Sequence, residues 1–295
     1  MKTTAIVKIS NMRLMNRVRN IFMLLILLVT SAQGAWAQSG EWKDYAANGY
    51  ASGDGTKENP YVINTAAQFA YMAKDIAGTN NISKGKYYVL DADVDLGAYY
   101  WNPIGMDNNH RFLGDFDGRG HVVKNLRVKW TINGWTTAGL FGRIKGESSS
   151  WSRVSNLIID GAKIEKAADG KNITKDGCGI GILAGEVRQY SEISNIIVKN
   201  SVNSDGGSSF TVSGGCVRIG GILGNTEKDN DNNPGVYRIF NLATENVKID
   251  YSKMTYTSNS KDSYVGGVIG RFRQKKADDP NNIFAENLFS DVTIN

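Results

Sequence analysis

The chain has 295 residues, with 34 Lys and Arg, 29 Asp and Glu, two Cys and two His. Two cysteines exclude a disulfide-dense scaffold, and the length suffices for one large domain. Five of the basic residues and none of the acidic ones lie in residues 1–37, so residues 38–295 carry no net charge. The sequence pI of about 9.0 is therefore no evidence for a nucleic-acid partner.

Residues 1–37 have the pattern of a secretory signal peptide. A basic flank precedes the apolar run 21–29, and the small residues Ala35 and Ala37 follow it. The run is shorter than the roughly 20 residues that span a bilayer. We expect cleavage after Ala37 and no transmembrane segment in the mature chain; an uncleaved anchor helix is the alternative. The expected location is secreted or at the cell surface, in the periplasm or outer membrane of a bacterium.

Residues 38–52 are polar and contain several aromatic side chains, which predicts a flexible leader. An N-terminal cap and the first turns of the fold are expected over residues 53–130. They contain one predicted helix, which begins after Thr65, forms a capping box with Gln68 and ends at Gly78. We expect this helix to cover the N-terminal end of the core, where strand edges would otherwise meet water.

Residues 131–295 repeat one unit: a small apolar strand bounded by glycine, a variable loop, and a strand of the form apolar-x-Asn-apolar. The copies are marked by Gly142, Asn156, Gly185, Asn195, Gly224, Asn241, Gly270 and Asn287, and Asn125 marks an earlier copy. Unequal spacing of a constant pattern is typical of a solenoid, in which each turn contacts its neighbours and the loops vary. We therefore predict an all-β fold, a parallel β-helix with one short N-terminal capping helix.

Both marker residues have predicted structural roles. The recurring Asn is expected to turn inward and form an amide ladder between turns. Tight corners, some with positive φ, are expected at glycines, namely Gly139, Gly142, Gly185, Gly221 and Gly224. The chain stops within a repeat and without a cap, so we expect further chain or another subunit to cover the open C-terminal end.

A series of motifs, in order, resembles the GLUG-repeat β-helix proteins. It comprises Gly53-x-Gly55-Thr56 with Pro60-Tyr61-x-Ile63, the Ala- and Gln-rich helix, Trp101-x-Pro103-Ile104-Gly105, Phe112-x-Gly114-x-Phe116-Asp117-Gly118, and the Gly-Leu-Phe-Gly units. The resemblance implies a right-handed parallel β-helix. The family is common on bacterial cell surfaces, and its repeat also occurs beside the protease domain of IgA-protease-type metallopeptidases. About function it implies surface display or adhesion, because the repeat is a scaffold.

No catalytic residues and no cofactor are expected. His110 and His121 are the only histidines, and a His-Glu-x-x-His zinc motif is absent from the sequence. Residues 179–184 match a loose Gly-x-Gly-x-x-Ala fingerprint but lack the strand-to-helix context that dinucleotide binding needs. Asp229 and Asp231 are a weak calcium candidate in a polar loop that lacks the Gly and Glu of an EF-hand.

Cys178 and Cys216 are 38 residues apart, which is close to one repeat. Stacked strands lie about 4.8 Å apart, within the reach of a disulfide, and export would permit the bond. A one-residue offset from the glycine strand instead favours two buried free thiols. The sequence leaves both alternatives open.

Trp135, Trp151 and Tyr99 are the candidate ligand contacts, because aromatic side chains in loops can stack on sugar rings or anchor a protein. We expect a non-enzymatic binding or adhesion module that contacts a glycan or a protein through its variable loops. The second hypothesis is a polysaccharide-active β-helix enzyme, although no carboxylates recur in register with the strands. The third is a scaffold fragment of a longer surface protein or protease.

Overall fold

The structure, a computed structural model, describes residues 40–174, 177–227, 236–257, 263–273 and 283–295. The predicted signal peptide over residues 1–37 and the calcium candidates Asp229 and Asp231 lie outside these residues. Within the predicted leader, residues 42–45 form a 3₁₀ turn, and the buried Trp42 donates its indole N–H to the Leu96 carbonyl at 3.0 Å. This part of the leader therefore packs on the core.

One α-helix, α1 (Ala66–Gly78), is present among the described residues. The Thr65 hydroxyl accepts from the Gln68 N–H, and the Gln68 side chain accepts from the Thr65 N–H, so the predicted capping box is present. The buried face includes Phe69, which stacks on Phe116 with ring centroids 5.5 Å apart. In the part of the chain that the structure describes, no helix has the length and hydropathy to cross a bilayer.

The rest of the described fold is mostly β. The strands are β1 (Tyr61–Ile63), β2 (Tyr87–Leu90), β3 (Val94–Asp95), β4 (Asp115–Asp117), β5 (Val122–Lys124), β6 (Arg127–Trp130), β7 (Thr136–Ala138), β8 (Phe141–Ile144), β9 (Ser152–Asp160), β10 (Lys163–Lys166), β11 (Gly177–Gly181), β12 (Ala184–Arg188), β13 (Ser191–Lys199), β14 (Val202–Ser204), β15 (Phe210–Val212), β16 (Cys216–Gly220), β17 (Leu223–Glu227), β18 (Tyr237–Asp250), β19 (Met254–Tyr256), β20 (Tyr264–Gly266), β21 (Ile269–Arg271) and β22 (Ile283–Ile294).

From β7 onward, no described strand pairs with its neighbour in sequence; each pairs with the equivalent strand one repeat away. The order is β7-β11-β16-β20 in one sheet and β8-β12-β17-β21 in a second. The Asn-centred strands follow as β9-β13-β18, with β22 on β18, in the largest sheet. All pairings between the named strands are parallel.

The core is built from columns of side chains that share a register position. Val154, Ile193 and Ile239 are partners across β9, β13 and β18, and all three are fully buried. Burial of each such side chain contributes about 1.5–3 kcal/mol. Repetition of one short apolar pattern thus builds a continuous core without any long helix.

The recurring asparagines form a ladder on the surface of the stack. Each side-chain amide donates at 2.8–2.9 Å to the side-chain oxygen one turn earlier, in the order Asn287, Asn241, Asn195, Asn156 and Asp117. We call these five residues the Asn ladder. Its last three asparagines are exposed, so the predicted inward orientation is wrong. The four asparagines have φ of 54–57°, in the left-handed region that Asn tolerates better than most residues. The residues after the first three, Leu157, Ile196 and Leu242, are buried.

Asn125 does not belong to the Asn ladder, although its sequence pattern predicts that it does. Its amide donates to Asp95 at 2.9 Å, and its backbone N–H donates to the Asp160 carbonyl at 2.8 Å. It therefore lies at the next corner of the turn. The same corner carries a second, shorter ladder, in which Asn246 donates to Asn200 and Asn200 donates to Asp160, both at 3.0 Å.

The repeat glycines are needed for close backbone approach, and the predicted positive φ is found at one of them. Of the five glycines predicted at corners, only Gly139 has a positive φ. A Cβ at Gly185 would lie 2.5 Å from the Gly179 carbonyl oxygen, and one at Gly224 would lie 2.3 Å from the Ile180 nitrogen. A Cβ at Gly142 would lie 2.6 Å from the Gly105 carbonyl oxygen, and one at Gly270 would lie 2.5 Å from the Ile219 carbonyl oxygen. These glycines thus allow close backbone approach, while the left-handed corners of the two ladders carry asparagine or, at residue 161, glycine.

Cys178 and Cys216 are both free and buried. In the register of β11 with β16, Cys178 lies opposite Val217 and Cys216 opposite Gly177. Because side chains alternate along a strand, this offset places the two thiols on opposite faces. The structure therefore has no bond at the site of the possible disulfide. Burial raises the pKa of the Cys178 thiol to about 12.

Candidate functional site

A cleft of about 610 Å³ opens between the segment 100–107 and the strands β6, β7 and β8. Its walls include Tyr100, Asp107, Lys129, Trp135 and Arg143, and we call it the Trp135 cleft. A second recess of about 850 Å³ lies against α1. The two adjoin, because both are lined by Glu41, Trp101, Asn102, Pro103 and Met106.

The segment 101–106, which separates the two recesses, is fixed by Trp101. Its buried indole N–H donates to the Leu140 carbonyl at 2.9 Å, and its backbone N–H donates to the Arg127 carbonyl at 2.6 Å. The backbone N–H of Ile104 also donates to the Leu140 carbonyl, at 3.0 Å. One wall of the Trp135 cleft is thus held against the corner that joins β7 to β8.

Trp135 is held in place by contacts from three strands. Its indole N–H donates to Glu186 Oε2 at 2.6 Å, and the guanidinium of Arg218 lies 4.6 Å from its ring centroid. The carbonyl of Trp135 accepts from Arg143 Nη2 at 3.1 Å. Cation–π contact and a charge-assisted hydrogen bond both restrict the ring. The aromatic wall is therefore preorganised.

The two acidic residues that line the Trp135 cleft are engaged by their own neighbours. Glu41 forms an ion pair with Lys43 and accepts from the Asn102 amide at 3.0 Å. The bond from Lys43 is the main cause that lowers the pKa of Glu41. Burial acts to raise the pKa of Asp107, but bonds from the His110 ring and from backbone N–H groups outweigh it, so that this pKa also lies below its usual value.

The basic residues of the Trp135 cleft differ, because neither has a carboxylate within ion-pair distance among the described residues. Arg143 is 5% exposed, and its Nε has no hydrogen-bond partner in the described structure. Burial lowers the pKa of its guanidinium. Lys129 is exposed at the rim, 5.4 Å from the centroid of the Tyr100 ring.

The three aromatic candidates from the sequence do not come together. Trp135 lines the cleft, whereas Tyr99 stacks on Tyr45 with centroids 3.7 Å apart and does not line it. Trp151 lies outside both recesses. Its ring has an Arg238 guanidinium at 4.8 Å and the edge of Tyr190 at 6.2 Å.

Sequence reasoning missed Tyr100, Lys129 and Arg143. Arg143 carried a usable signal, since it is a charged residue within the short apolar strand that follows Gly139-Leu140-Phe141. No comparable signal marks Lys129, which becomes part of the cleft only through folding. Within the described ranges, no group of three or more His, Cys, Asp or Glu side chains is arranged to hold a metal ion.

No protein-family model matches the chain. It is 34% identical over 158 residues to the "Putative Gly-rich membrane protein" of Evansella cellulosilytica, covering 51% of this chain and 16% of that protein. It is 30% identical over 187 residues to "Halomucin" of Haloquadratum walsbyi, covering 60% of this chain and 2% of that protein. The chain thus spans only a small part of the length of these relatives. A crystal structure of a "putative immunoglobulin A1 protease" from Bacteroides ovatus is similar at 20% identity, with a TM-score of 0.36 and coverage of 83% of this chain and 87% of that one.

Proposed function

We propose that the protein is an exported, surface-associated binding module, built as a right-handed parallel β-helix, that holds a glycan in the Trp135 cleft. The observation that carries the proposal is the preorganised aromatic wall of a cleft whose volume suits a small ligand. Aromatic faces bind sugars well because the C–H face of a sugar ring is apolar. Rigid placement lowers the entropy that binding costs.

The pairing of equivalent strands across repeats supports the β-helix as the framework. Parallel register between successive turns, with glycines where the sheets meet, is the arrangement that a β-helix requires. The motifs from Gly53 to Gly118 that resemble GLUG-repeat proteins support the same framework and its right hand. Such a scaffold leaves loops and clefts free to carry the binding residues.

Two observations support an exported, surface location. The N-terminal sequence has the basic, apolar and small-residue order of a signal peptide. The relatives of similar sequence are named as a Gly-rich membrane protein and as Halomucin. Both names fit surface proteins, in which a repeated β module would serve display or adhesion.

The proposal is tested by glycan-array binding followed by calorimetry with the best ligand. We expect Trp135→Ala to lower the affinity at least about tenfold, since truncation of a central aromatic contact costs about 2 kcal/mol. Trp135→Phe, which keeps a ring, should retain most of the affinity. Trp151→Ala is the matched control, because Trp151 lies outside both recesses, and it should bind as the wild type does. Equal losses in Trp135→Ala and Trp151→Ala would refute the assignment of the cleft.

The same experiment separates binding from polysaccharide cleavage. A binding module returns the bound oligosaccharide unchanged, whereas an enzyme would release shorter products over time. Product release that is lost in an Asp107→Asn variant would overturn the binding proposal, because Asp107 is a carboxylate that lines the cleft.

We further infer that another β-strand covers the free edge of β22. Among the described strands β22 pairs only with β18, and Phe289 is 66% exposed and Ile294 51% exposed. An unpaired apolar edge favours strand addition, either by further chain or by a second copy. Light scattering over a concentration series tests for the second copy, and Phe289→Lys should abolish any dimer that forms.

A further inference from the structure

The charged residues of the Trp135 cleft, two acidic and two basic, differ in how they are paired, and this difference indicates what kind of ligand group the cleft takes. We propose that Arg143 and Lys129 form a subsite for an oxyanion group, a carboxylate or a sulfate ester, carried by an acidic saccharide. The inference rests on the proposed function, because it names the ligand class of the same cleft. It depends on which charges in the cleft are already paired.

Arg143 is the deepest charged group of the subsite. Buried guanidinium groups are costly unless hydrogen bonds and a counter-charge compensate them. Arg143 bonds only to neutral acceptors, the Trp135 carbonyl at 3.1 Å and the Asn108 side-chain oxygen at 3.4 Å, and its Nε has no partner among the described residues. The arginine therefore has a buried Nε without a partner and no direct ion pair among the described residues, and its charge is compensated only through space, by Glu186 and Asp107.

Glu186 is the nearest candidate counter-ion, but its oxygens are already engaged. It pairs in register with Arg143 across β8 and β12. One of its oxygens is bound by the Arg188 guanidinium, and the other accepts from the Trp135 indole at 2.6 Å. Glu186 therefore stabilises the aromatic wall and forms no ion pair with Arg143 among the described residues.

Lys129 supplies the second positive charge at the rim. It forms no ion pair with a described carboxylate, and its ammonium lies near the Tyr100 ring, whose other neighbour is Arg127 at 4.4 Å. The two lining carboxylates, Glu41 and Asp107, are satisfied by their own partners. Two unpaired cations and two paired anions give the cleft a local preference for a negative group, and the flanking Trp135 and Tyr100 rings suit a sugar.

The test is calorimetric titration of the full chain with four probes of known composition: a uronic-acid oligosaccharide, a sulfated oligosaccharide, a neutral oligosaccharide of the same length, and inorganic sulfate. We expect at least one acidic saccharide to bind about tenfold or more tightly than the neutral one, with an affinity that falls as salt rises. Inorganic sulfate should bind far more weakly, because it cannot contact the aromatic wall. Sulfate that binds as tightly as the sulfated saccharide would overturn the saccharide class.

Charge-reversal variants assign the effect to the subsite. Lys129→Glu should weaken acidic-saccharide binding about five- to tenfold, because an attractive rim charge becomes repulsive. Lys57→Glu is the control, since Lys57 is exposed, lies outside the cleft and makes the same change in net charge. Arg143→Gln should weaken binding further, with circular dichroism used to check the fold. If Arg143→Gln does not fold, the result for Lys129→Glu decides whether the oxyanion subsite exists.

Two results would overturn the inference, and they are distinguishable from failure of the proposed function. Equal loss in Lys57→Glu and Lys129→Glu would show a general charge effect. Neutral saccharides that bind as well as acidic ones, with loss in Trp135→Ala but not in Lys129→Glu, would retain the glycan site and refute the oxyanion subsite. Absence of binding to every saccharide would refute both proposals.

Discussion

Replacement of Asn195 tests what the Asn ladder contributes to the stack. Asn195 donates to Asn156 and accepts from Asn241, both at 2.8 Å, and its φ is 55°. Asn195→Gly keeps the left-handed backbone but removes both side-chain bonds, each worth about 0.5–1.5 kcal/mol. We expect a loss of about 1–2 kcal/mol in the free energy of unfolding, at the low end because water can reach the exposed neighbours. Asn195→Ala should lose about 1–2 kcal/mol more of the free energy of unfolding than Asn195→Gly, because a Cβ is unfavourable in the left-handed conformation.

Asn81 provides the matched control. Its φ is also 55°, but its side chain makes no hydrogen bond to any described residue. Asn81→Gly should therefore leave stability nearly unchanged, while the step from Gly to Ala should cost about the same at both sites. The measurement is urea unfolding followed by circular dichroism, with stability taken from the midpoint and slope.

The comparison separates the two contributions of the residue. Asn195→Gly that is as stable as the wild type would show that the surface amides contribute nothing. Asn195→Ala that equals Asn195→Gly would show that the corner is not constrained to the left-handed region. Asn195→Asp gives a further check, because a carboxylate still accepts from Asn241 but places an oxygen against the Asn156 oxygen. It should fall below wild type by about 1 kcal/mol or more.

Three further predictions concern the framework. Gly185→Ala should destabilise by about 1–3 kcal/mol, because the new Cβ would lie 2.5 Å from a backbone oxygen; Gly78→Ala, with no atom within 4 Å, is the control for the same thermal-melt assay. The pKa of Asp93 is lowered to about 2, chiefly by the Val122 N–H and then by Lys124. Its stabilisation is therefore present above pH 4 and lost as the pH falls toward 2, and Asp93→Asn should lose less stability than wild type over that window. Neither thiol should react with a thiol-specific reagent in the native protein, and two should react after denaturation; rapid native labelling of Cys178 would contradict its burial.

Local patterns allowed α1 to be predicted because everything that defines its start lies within four residues. Thr65 and Gln68 satisfy each other's backbone groups whatever the rest of the chain does. The recurrence of the Asn-centred strand was equally visible, since each copy carries its own pattern. Parallel pairing of equivalent strands then follows, because only stacking of like on like buries every copy of the pattern.

The orientation of the asparagines could not be predicted from alternation. A strict period of two assigns faces only while the backbone stays extended. At Asn195 the left-handed conformation interrupts the extended strand, so Ile196 is fully buried and the amide remains exposed. The apolar neighbours of Asn125 match the pattern of the ladder asparagines. Its backbone bond to Asp160, which the local sequence does not reveal, places it at the next corner.

The cleft could not be predicted because its residues are brought together by long-range contacts. Trp135 meets Glu186, 51 residues later in the chain, and Trp101 meets Leu140, 39 residues later. Loops of unequal length separate these residues, so their spacing in sequence has no fixed relation to the turns of the stack. Whether a charged residue is paired also depends on long-range contacts. Lys129 is distinguished only in that no described carboxylate lies within ion-pair distance of it.

The position of the cleft follows from a break in the repeat. Ala138 pairs with Ile180 and Phe141 with Ala184, so the first corner contains one residue fewer than the corner above it. The next two corners keep the longer length. Ile180 and Ala184 lie in register with Ile219 and Leu223. These two residues pair in turn with Val265 and Ile269. The corner over residues 181–183 is thus regular, and the exception is the Gly-Leu-Phe-Gly copy. At this shorter corner the Leu140 carbonyl accepts from Trp101 and Ile104, which positions one wall of the Trp135 cleft. The irregular corner, and not a regular one, therefore lies beside the Trp135 cleft.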